Sequence, residues 1–392
     1  MRVGFVVDTF PSLSETFILD QVNGFVERGF EVCVICNRNA LNENVGSATS
    51  SQALSGIAVQ WWGSLAVFRP LLRKLPAILW DKVSTAFDIL FARKLRNFDV
   101  IIAHFGNNGL RVARVLKRRH LAAPLVTIFH GRDVGRPMQD NSLWQYDVLF
   151  KQGALQLTVN DYFRTALVKA GASAEKVVVH HMGVRLAEIE YSWRSWQHGT
   201  LEFISVCRLT EKKGIEFALR ALGELAASSP RLDWSYTIIG GGELQDALKQ
   251  LAKDLGIADK VTFLGPRPHS EVKQRLRQAH VFILPSVTAV DGDVEGIPVS
   301  LMEAMAAGLI AVSTYHSGIP ELVEDQKTGI LVPEKDPPSL AAKLSWIAEN
   351  PAACEHIALA ARKKVESEFN ADVLNGEFAQ MIARLANEKS KA

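Results

Sequence analysis

Short apolar, β-branched runs alternate with longer amphipathic stretches along this chain, and the whole alternation occurs twice. In the first half the runs are Val3–Val7, Glu31–Cys36, Ile57–Gln60, Asp99–Ala103, Leu125–Phe129, Leu155–Val159 and Lys176–Val179. Helical patterns separate most of them. The first spans Ser14–Arg28 and stops at Gly29, a residue suited to the left-handed turn that closes a helix. The second set is Glu202–Val206, Ser235–Ile239, Lys260–Leu264, His280–Leu284, Leu309–Val312 and Gly329–Leu331. Strands separated by helices run parallel, because each helix carries the chain back to the edge where it started. The expected fold is α/β, with two Rossmann-like parallel-sheet domains in tandem. The join is Gly183–Gly199, a polar stretch without clear period that carries Trp193 and Trp196. This places the boundary near residue 195, giving domains 1–195 and 196–371.

Composition supports two cores rather than one. The chain has 392 residues, more than a single hydrophobic core normally serves. Hydrophobic residues at 48% and charged residues at 22% exclude disordered and fibrous classes. Four cysteines are too few for a disulfide framework. Cys33 and Cys36 have C-x-x-C spacing but lie in a predicted strand, where residues three apart face opposite sides. No apolar run reaches the roughly 20 residues of a membrane span. The start meets Asp8 too early for a signal peptide and reads as a strand. The expected location is the cytoplasm. The net charge of +2 is unevenly spread: residues 1–190 carry 22 Lys/Arg against 16 Asp/Glu. Most of the excess lies in 60–120, where Trp61–Trp80 interleaves aromatics with bases and Arg111–His120 adds a basic helix. Such a surface can rest on anionic lipid headgroups, or can be an ordinary solvated face. No nucleic-acid motif accompanies the charge.

Open parallel sheets bind ligands at the carboxyl ends of their strands, so the strand-end loops hold the candidate chemistry. The richest is Pro285–Gly308, which follows a strand and opens a helix closed by Gly308. Pro298 suits the first helical position, leaving the N–H groups of Val299 and Ser300 free to meet a phosphate. Glu295 and Glu303 bracket that helix start. Carboxylates do not bind phosphate but accept hydrogen bonds from hydroxyls, which suggests a sugar on one side and a ribose on the other. Glu303 can instead close a capping box with Ser300, and Glu295 can be a solvated loop acid.

Arg208 and Lys213 stand five apart in the loop after the first strand of the second half, where they can neutralise a diphosphate or be plain surface. Ile238–Glu243 is a glycine turn in which Gly241 lets backbone approach a ligand; it lacks the full G-x-G-x-x-G spacing, because Gln245 takes the last position. In the first half, His130 ends a buried strand in Thr127–Asp133, with His104 at another strand end and Asp133 three residues beyond His130. His180 and His181 are neighbours in a strand and cannot chelate one metal together. Ser14 and Glu15, in the loop after the first strand, can touch an acceptor or a donor phosphate, or Ser14 can be a helix cap. Asp291-Gly292-Asp293 could hold a divalent ion, but Arg208, Lys213 and the helix start already supply positive charge. No metal or cofactor is expected.

Together these motifs resemble the retaining glycosyltransferases of family 4, which have the GT-B fold. The most specific match is the E-x7-E pair, Glu295 and Glu303, followed by Ala304–Gly308. Arg208 and Lys213-Gly214, Phe129-His130-Gly131, Gly318–Val323 and Thr328–Val332 also match. Ser14–Phe17 and Glu295–Pro298 look like the branch that builds bacterial exopolysaccharide and colanic-acid-type repeats. Where many members have Phe-Gly, this chain has Ile297-Pro298. Pro298 donates no N–H, so phosphate contacts there fall to Val299 and Ser300.

The resemblance implies two domains facing across a cleft and a final helix, 372–392, returning to the first domain. It implies a UDP- or GDP-linked sugar donor held by Arg208, Lys213, Gly241 and the 296–300 segment (Gly296, Ile297, Val299, Ser300), with Glu303 on the ribose. It assigns Glu295 and His130 to the sugar. It implies a glycan or lipid-linked glycan acceptor on the first domain near Ser14, Glu15, His104 and Asp133, and retention of configuration without a metal or protein nucleophile. A donor phosphate oxygen then takes the acceptor proton. Such an enzyme would be cytoplasmic, with peripheral contact to the inner face of the cell membrane through 61–120. Rival readings are a nucleotide-sugar epimerase or phosphorylase of the same fold, a dehydrogenase, and a non-catalytic nucleotide or glycan sensor.

Overall fold

The computed structural model describes residues 1–12, 16–39, 57–61, 88–197 and 199–391. The chain divides into two compact units, Met1–His180 with Asp372–Ala392, and His181–Ala371.

The first unit is built on seven parallel strands: β1 (Arg2–Phe10), β2 (Glu31–Asn39), β3 (Ala58–Trp61), β4 (Val100–His104), β5 (Leu125–Phe129), β6 (Leu155–Thr158) and β7 (Val177–Val179). Their order is β3-β2-β1-β4-β5-β6-β7. β4 and β5 are buried at every residue. That is why they read as unbroken apolar runs rather than alternating ones: helices cover both faces of the sheet. Strand order reverses between β1 and β4, the switch point where open sheets take ligands. His104 ends β4 and Phe105 follows it, Phe17 lies in the first turn of the helix after β1, and His130 directly follows neighbouring β5.

The last helix, Ala371–Lys391, packs on this first unit. Phe378 is fully buried, 5.2 Å from the Phe25 ring edge-to-face. Arg28 donates to the Asp372 carbonyl at 2.8 Å and to the Gly24 carbonyl at 2.8 Å. Gly24 lets the two helices meet closely, since a Cβ there would lie 3.0 Å from Asn375 Nδ2.

The second unit has six parallel strands: β8 (Leu201–Val206), β9 (Trp234–Ile239), β10 (Val261–Gly265), β11 (Val281–Ile283), β12 (Ile310–Thr314) and β13 (Ile330–Val332), in the order β10-β9-β8-β11-β12-β13. Its switch point lies between β8 and β11, the strands that feed the Arg208 and Glu295 loops. Two apolar clusters fill its faces. One centres on Phe203, Trp234 and Tyr236, the other on Phe282, Met302 and Phe369.

The division falls after His180, ahead of residue 195. Trp196 is buried in the second unit's core and donates Nε1–H to the Ala348 carbonyl at 3.2 Å. Val184 bridges to Asn370. A segment without period is therefore structure of the second unit, held also by Arg362, which donates to the Ile189 carbonyl at 2.9 Å, and by Ser192 N–H, which donates to the Ala307 carbonyl at 3.0 Å. His180 packs on Phe378 in the first unit, and His181 pairs with Glu321 at 2.9 Å in the second. Cys33 and Cys36 are buried free thiols on β2, and burial raises both pKa values.

Candidate active site

In the second unit, backbone bonds knit the strand-end loops together. Leu209 N–H donates to the Gly241 carbonyl at 2.9 Å, and Val287 N–H to the Lys212 carbonyl at 2.9 Å. Gly214 has φ +65°, and a Cβ there would stand 1.9 Å from the Pro285 carbonyl oxygen. Only glycine permits that approach, which seats the Arg208–Lys213 loop against the loop leaving β11.

Glu295 lies where those loops meet, 6% exposed. Its Oε1 is 2.7 Å from Lys213 Nζ and 4.0 Å from Lys212 Nζ, while Lys212 also contacts Asp293 at 3.0 Å. Burial by itself would raise the carboxyl's pKa; the two ammonium groups outweigh it and hold Glu295 far below its ordinary value. It is a buried anion, not a solvated loop acid. Arg208 is exposed and makes no ion pair with another described residue. The turn Asp291-Gly292-Asp293 is closed internally, Asp293 N–H donating to Asp291 Oδ1 at 3.1 Å.

The following helix runs Val299–Ala307. Pro298 is its cap (φ −66°, ψ 121°) rather than its first helical residue. Its carbonyl already accepts from Leu301 N–H at 3.0 Å, and ψ has not turned helical. The N–H groups of Val299 and Ser300 have no intrahelical acceptor and stand at the positive end of the helix. The side chain of Ile297 is buried in the apolar core, so this residue can offer a ligand only its backbone. Gly296 is half-buried. Gly241 spends its carbonyl on Leu209 and lies close to Pro266.

Glu303 does not close a capping box with Ser300. Its Oε1 pairs with His269 Nε2 at 2.9 Å. That bond raises the His269 pKa above its ordinary value, against the opposing effect of burial.

In the first unit, His130 is half-buried between two rings, with the centroids of Phe17 4.8 Å and Phe105 4.7 Å away. Its Nε2 meets His104 Nδ1 at 3.1 Å, and the two imidazoles stack at 13°. His104 is completely buried, and burial lowers its pKa to about 3. It is a support for His130 rather than a surface group. Asp133 is buried as well. Its carboxylate accepts from Gly106 N–H (2.8 Å), Gly131 N–H (2.9 Å) and His130 N–H (3.1 Å). Burial raises its pKa, and those three bonds oppose the rise. Asp133, expected near an acceptor, spends three acceptor sites on clamping two strand-end loops, and Tyr146 O–H donates to its backbone carbonyl at 2.9 Å. Ser14 and Glu15 lie outside the described residues, as does most of Trp61–Trp80.

Sequence comparison adds what geometry alone does not. Residues 14–188 match the family described as Glycosyltransferase Family 4, and residues 194–364 match that of Glycosyl transferases group 1. The chain is 36% identical over 417 aligned positions to a protein of Escherichia coli K12 described as a colanic acid biosynthesis glycosyltransferase, WcaL, covering 98% of this chain and 100% of that one. This chain belongs to the family 4 glycosyltransferases. The amylovoran biosynthesis glycosyltransferase AmsK of Erwinia amylovora is 35% identical, again over 98% of this chain and all of the relative. The Anabaena protein HepE, solved with UDP and glucose, has the same fold, with a TM-score of 0.77 over 98% of this chain and 100% of that one at 19% identity. The fold is GT-B.

Within this glycosyltransferase the structure brings Lys213 and Glu295 into contact and sets Glu303 on the helix that the Glu295 loop opens. Sequence reading missed Lys212, His269, His316 and Glu334. His269 had a signal: it follows Gly265-Pro266-Arg267-Pro268, a turn at the end of β10. His316 and Glu334, 18 positions apart, carried none that could pair them.

Proposed function

We propose that this glycosyltransferase moves a sugar from a UDP- or GDP-linked donor to a glycan or lipid-linked glycan acceptor in bacterial exopolysaccharide synthesis, with retention of configuration and no metal. The supporting observation is the group of unlike charges at the β8–β11 switch point. There, exposed Arg208 and the free N–H groups of Val299 and Ser300 suit a diphosphate, while Glu295 and Glu303 suit hydroxyls. In this reading the positive groups stabilise charge that grows on the leaving diphosphate, each charge-assisted bond contributing about 1.5–3 kcal/mol. Lys213 divides its ammonium between Glu295 and the phosphate. Glu303 takes the ribose diol and Glu295 the sugar hydroxyls. A donor phosphate oxygen receives the acceptor proton. The exopolysaccharide assignment is supported by the WcaL and AmsK relatives, described as glycosyltransferases of colanic acid and amylovoran biosynthesis.

The test is a thermal-shift screen of wild type and Glu303→Ala against UDP, GDP, ADP, NAD and sugar conjugates. A ligand at a hundredfold excess over Kd stabilises the native state by about 2.7 kcal/mol. UDP or GDP should raise the wild-type Tm by several degrees, and the variant should lose most of that rise. Stabilisation by NAD alone, or by none of these ligands, would overturn the assignment.

A further inference from the structure

Glu295 must be held still if it is to select hydroxyls, and the residues that hold its backbone come from two other places in the second unit. Its N–H donates to His316 Nε2 at 3.0 Å, and its carbonyl accepts from Ser317 Oγ at 2.7 Å. Both partners follow the end of β12. Because Nε2 accepts, the ring proton sits on Nδ1, and Nδ1–H donates to Glu334 Oε1 at 2.6 Å. Glu334 follows the end of β13. Its other oxygen, Oε2, accepts from Thr288 N–H at 2.8 Å.

Thr288 and Glu295 are the two ends of one loop, the segment that leaves β11 and delivers Glu295. One carboxylate therefore ties down both ends, Thr288 directly and Glu295 through an imidazole that is 1% exposed. Between the anchors, the loop makes its own turn, with Gly292 N–H donating to the Ala289 carbonyl at 3.0 Å, and Val290 stands 78% exposed. The tip is held to the Lys213 loop by Val290 N–H, which donates to Glu211 Oε2 at 3.1 Å, and by the Lys212–Asp293 pair; His316 and Glu334 add the anchors at Thr288 and at the Glu295 backbone. Neither His316 nor Glu334 contacts Arg208, Lys213, Glu303 or the helix start through any hydrogen bond or ion pair.

We propose that His316 and Glu334 are positioning residues for sugar transfer, acting through the backbone of Glu295 and leaving the nucleotide grip untouched. The proposal rests on the sugar-nucleotide reading of Glu295. Two variants isolate it. His316→Phe keeps an aromatic ring, a larger one, and removes both nitrogens. His316→Gln keeps an oxygen near the place of Nε2, able to accept from Glu295.

Three readouts are taken on the full chain: amide hydrogen exchange of 288–295, binding of UDP and GDP, and release of nucleoside diphosphate from UDP- and GDP-sugars. In His316→Phe the 288–295 amides should exchange faster, diphosphate affinity should stay within about threefold, and kcat should fall about 100-fold, as an ångström-scale misplacement does. His316→Gln should recover at least part of kcat, and Glu334→Gln, with one acceptor fewer, should fall between. A folded His316→Phe with unchanged exchange in 288–295 overturns the proposal whatever the donor proves to be. So does one that loses diphosphate binding and turnover together, or one that keeps wild-type kcat. Faster loop exchange in a protein whose wild type binds neither UDP nor GDP would leave the anchor in place and overturn the sugar-nucleotide reading instead.

Discussion

Glu295 is an acid that burial should neutralise and that its neighbours keep ionised. Moving a carboxylate from water into protein is costly unless cations come with it, and Lys213 and Lys212 come with it. Glu303 has the opposite setting: its partner His269 is a titrating base on a half-exposed side chain. The sign of that linkage is definite. A histidine whose folded pKa is raised adds stability that is complete below its unfolded value, about 6.5, and is lost as pH rises through the folded value. The Tm difference between wild type and His269→Gln should therefore be larger at pH 6 than at pH 8.5. Equal differences at both pH values would show that the pair does not titrate as described. The placement of both acids about one helix start was legible from the E-x7-E spacing. Their partners were not, because an ion pair between residues 82 or 34 positions apart leaves no local pattern. Asp133 shows the same limit: a polar residue at a strand end looks available for a ligand until three backbone N–H groups are found around it.

At the scale of elements, periodicity located nearly every strand within one or two residues, because strands buried on both faces are written as apolar runs. Loop geometry was less visible. Pro298 caps its helix instead of starting it, which depends on a single ψ angle. Gly214 is where a loop depends most on one residue. Its φ of +65° and its contact with the Pro285 carbonyl leave no room for a side chain. Gly214→Ala should cost about 1–3 kcal/mol in backbone strain, and more if the Pro285 loop cannot yield. Since that contact seats the Arg208–Lys213 loop, nucleoside diphosphate affinity should fall with Tm. A variant with wild-type Tm and binding would show that the two loops are independent.

Across the whole molecule, the chain returns to its first unit after completing the second. The sequence placed a helix at the end, and the family resemblance placed it on the first domain; the contacts with Phe25, Arg28 and Gly24 show how it is held. Phe378→Ala should destabilise the first unit by about 3–5 kcal/mol, the usual cost of emptying a buried aromatic site. In hydrogen exchange, 1–180 should lose protection while 181–371 keeps it; a uniform loss would mean that the two units unfold as one. What the sequence by itself determined is the α/β class, the double set of parallel strands and the loops that hold chemistry, because periodicity and strand-end position are local properties. Tertiary structure alone decided that the second unit begins at His181, that Trp196 belongs to the second core, and that Glu334 reaches Glu295 through His316. Those depend on which distant residues share a buried volume, and in a buried volume most polar groups find a partner wherever in the chain that partner lies.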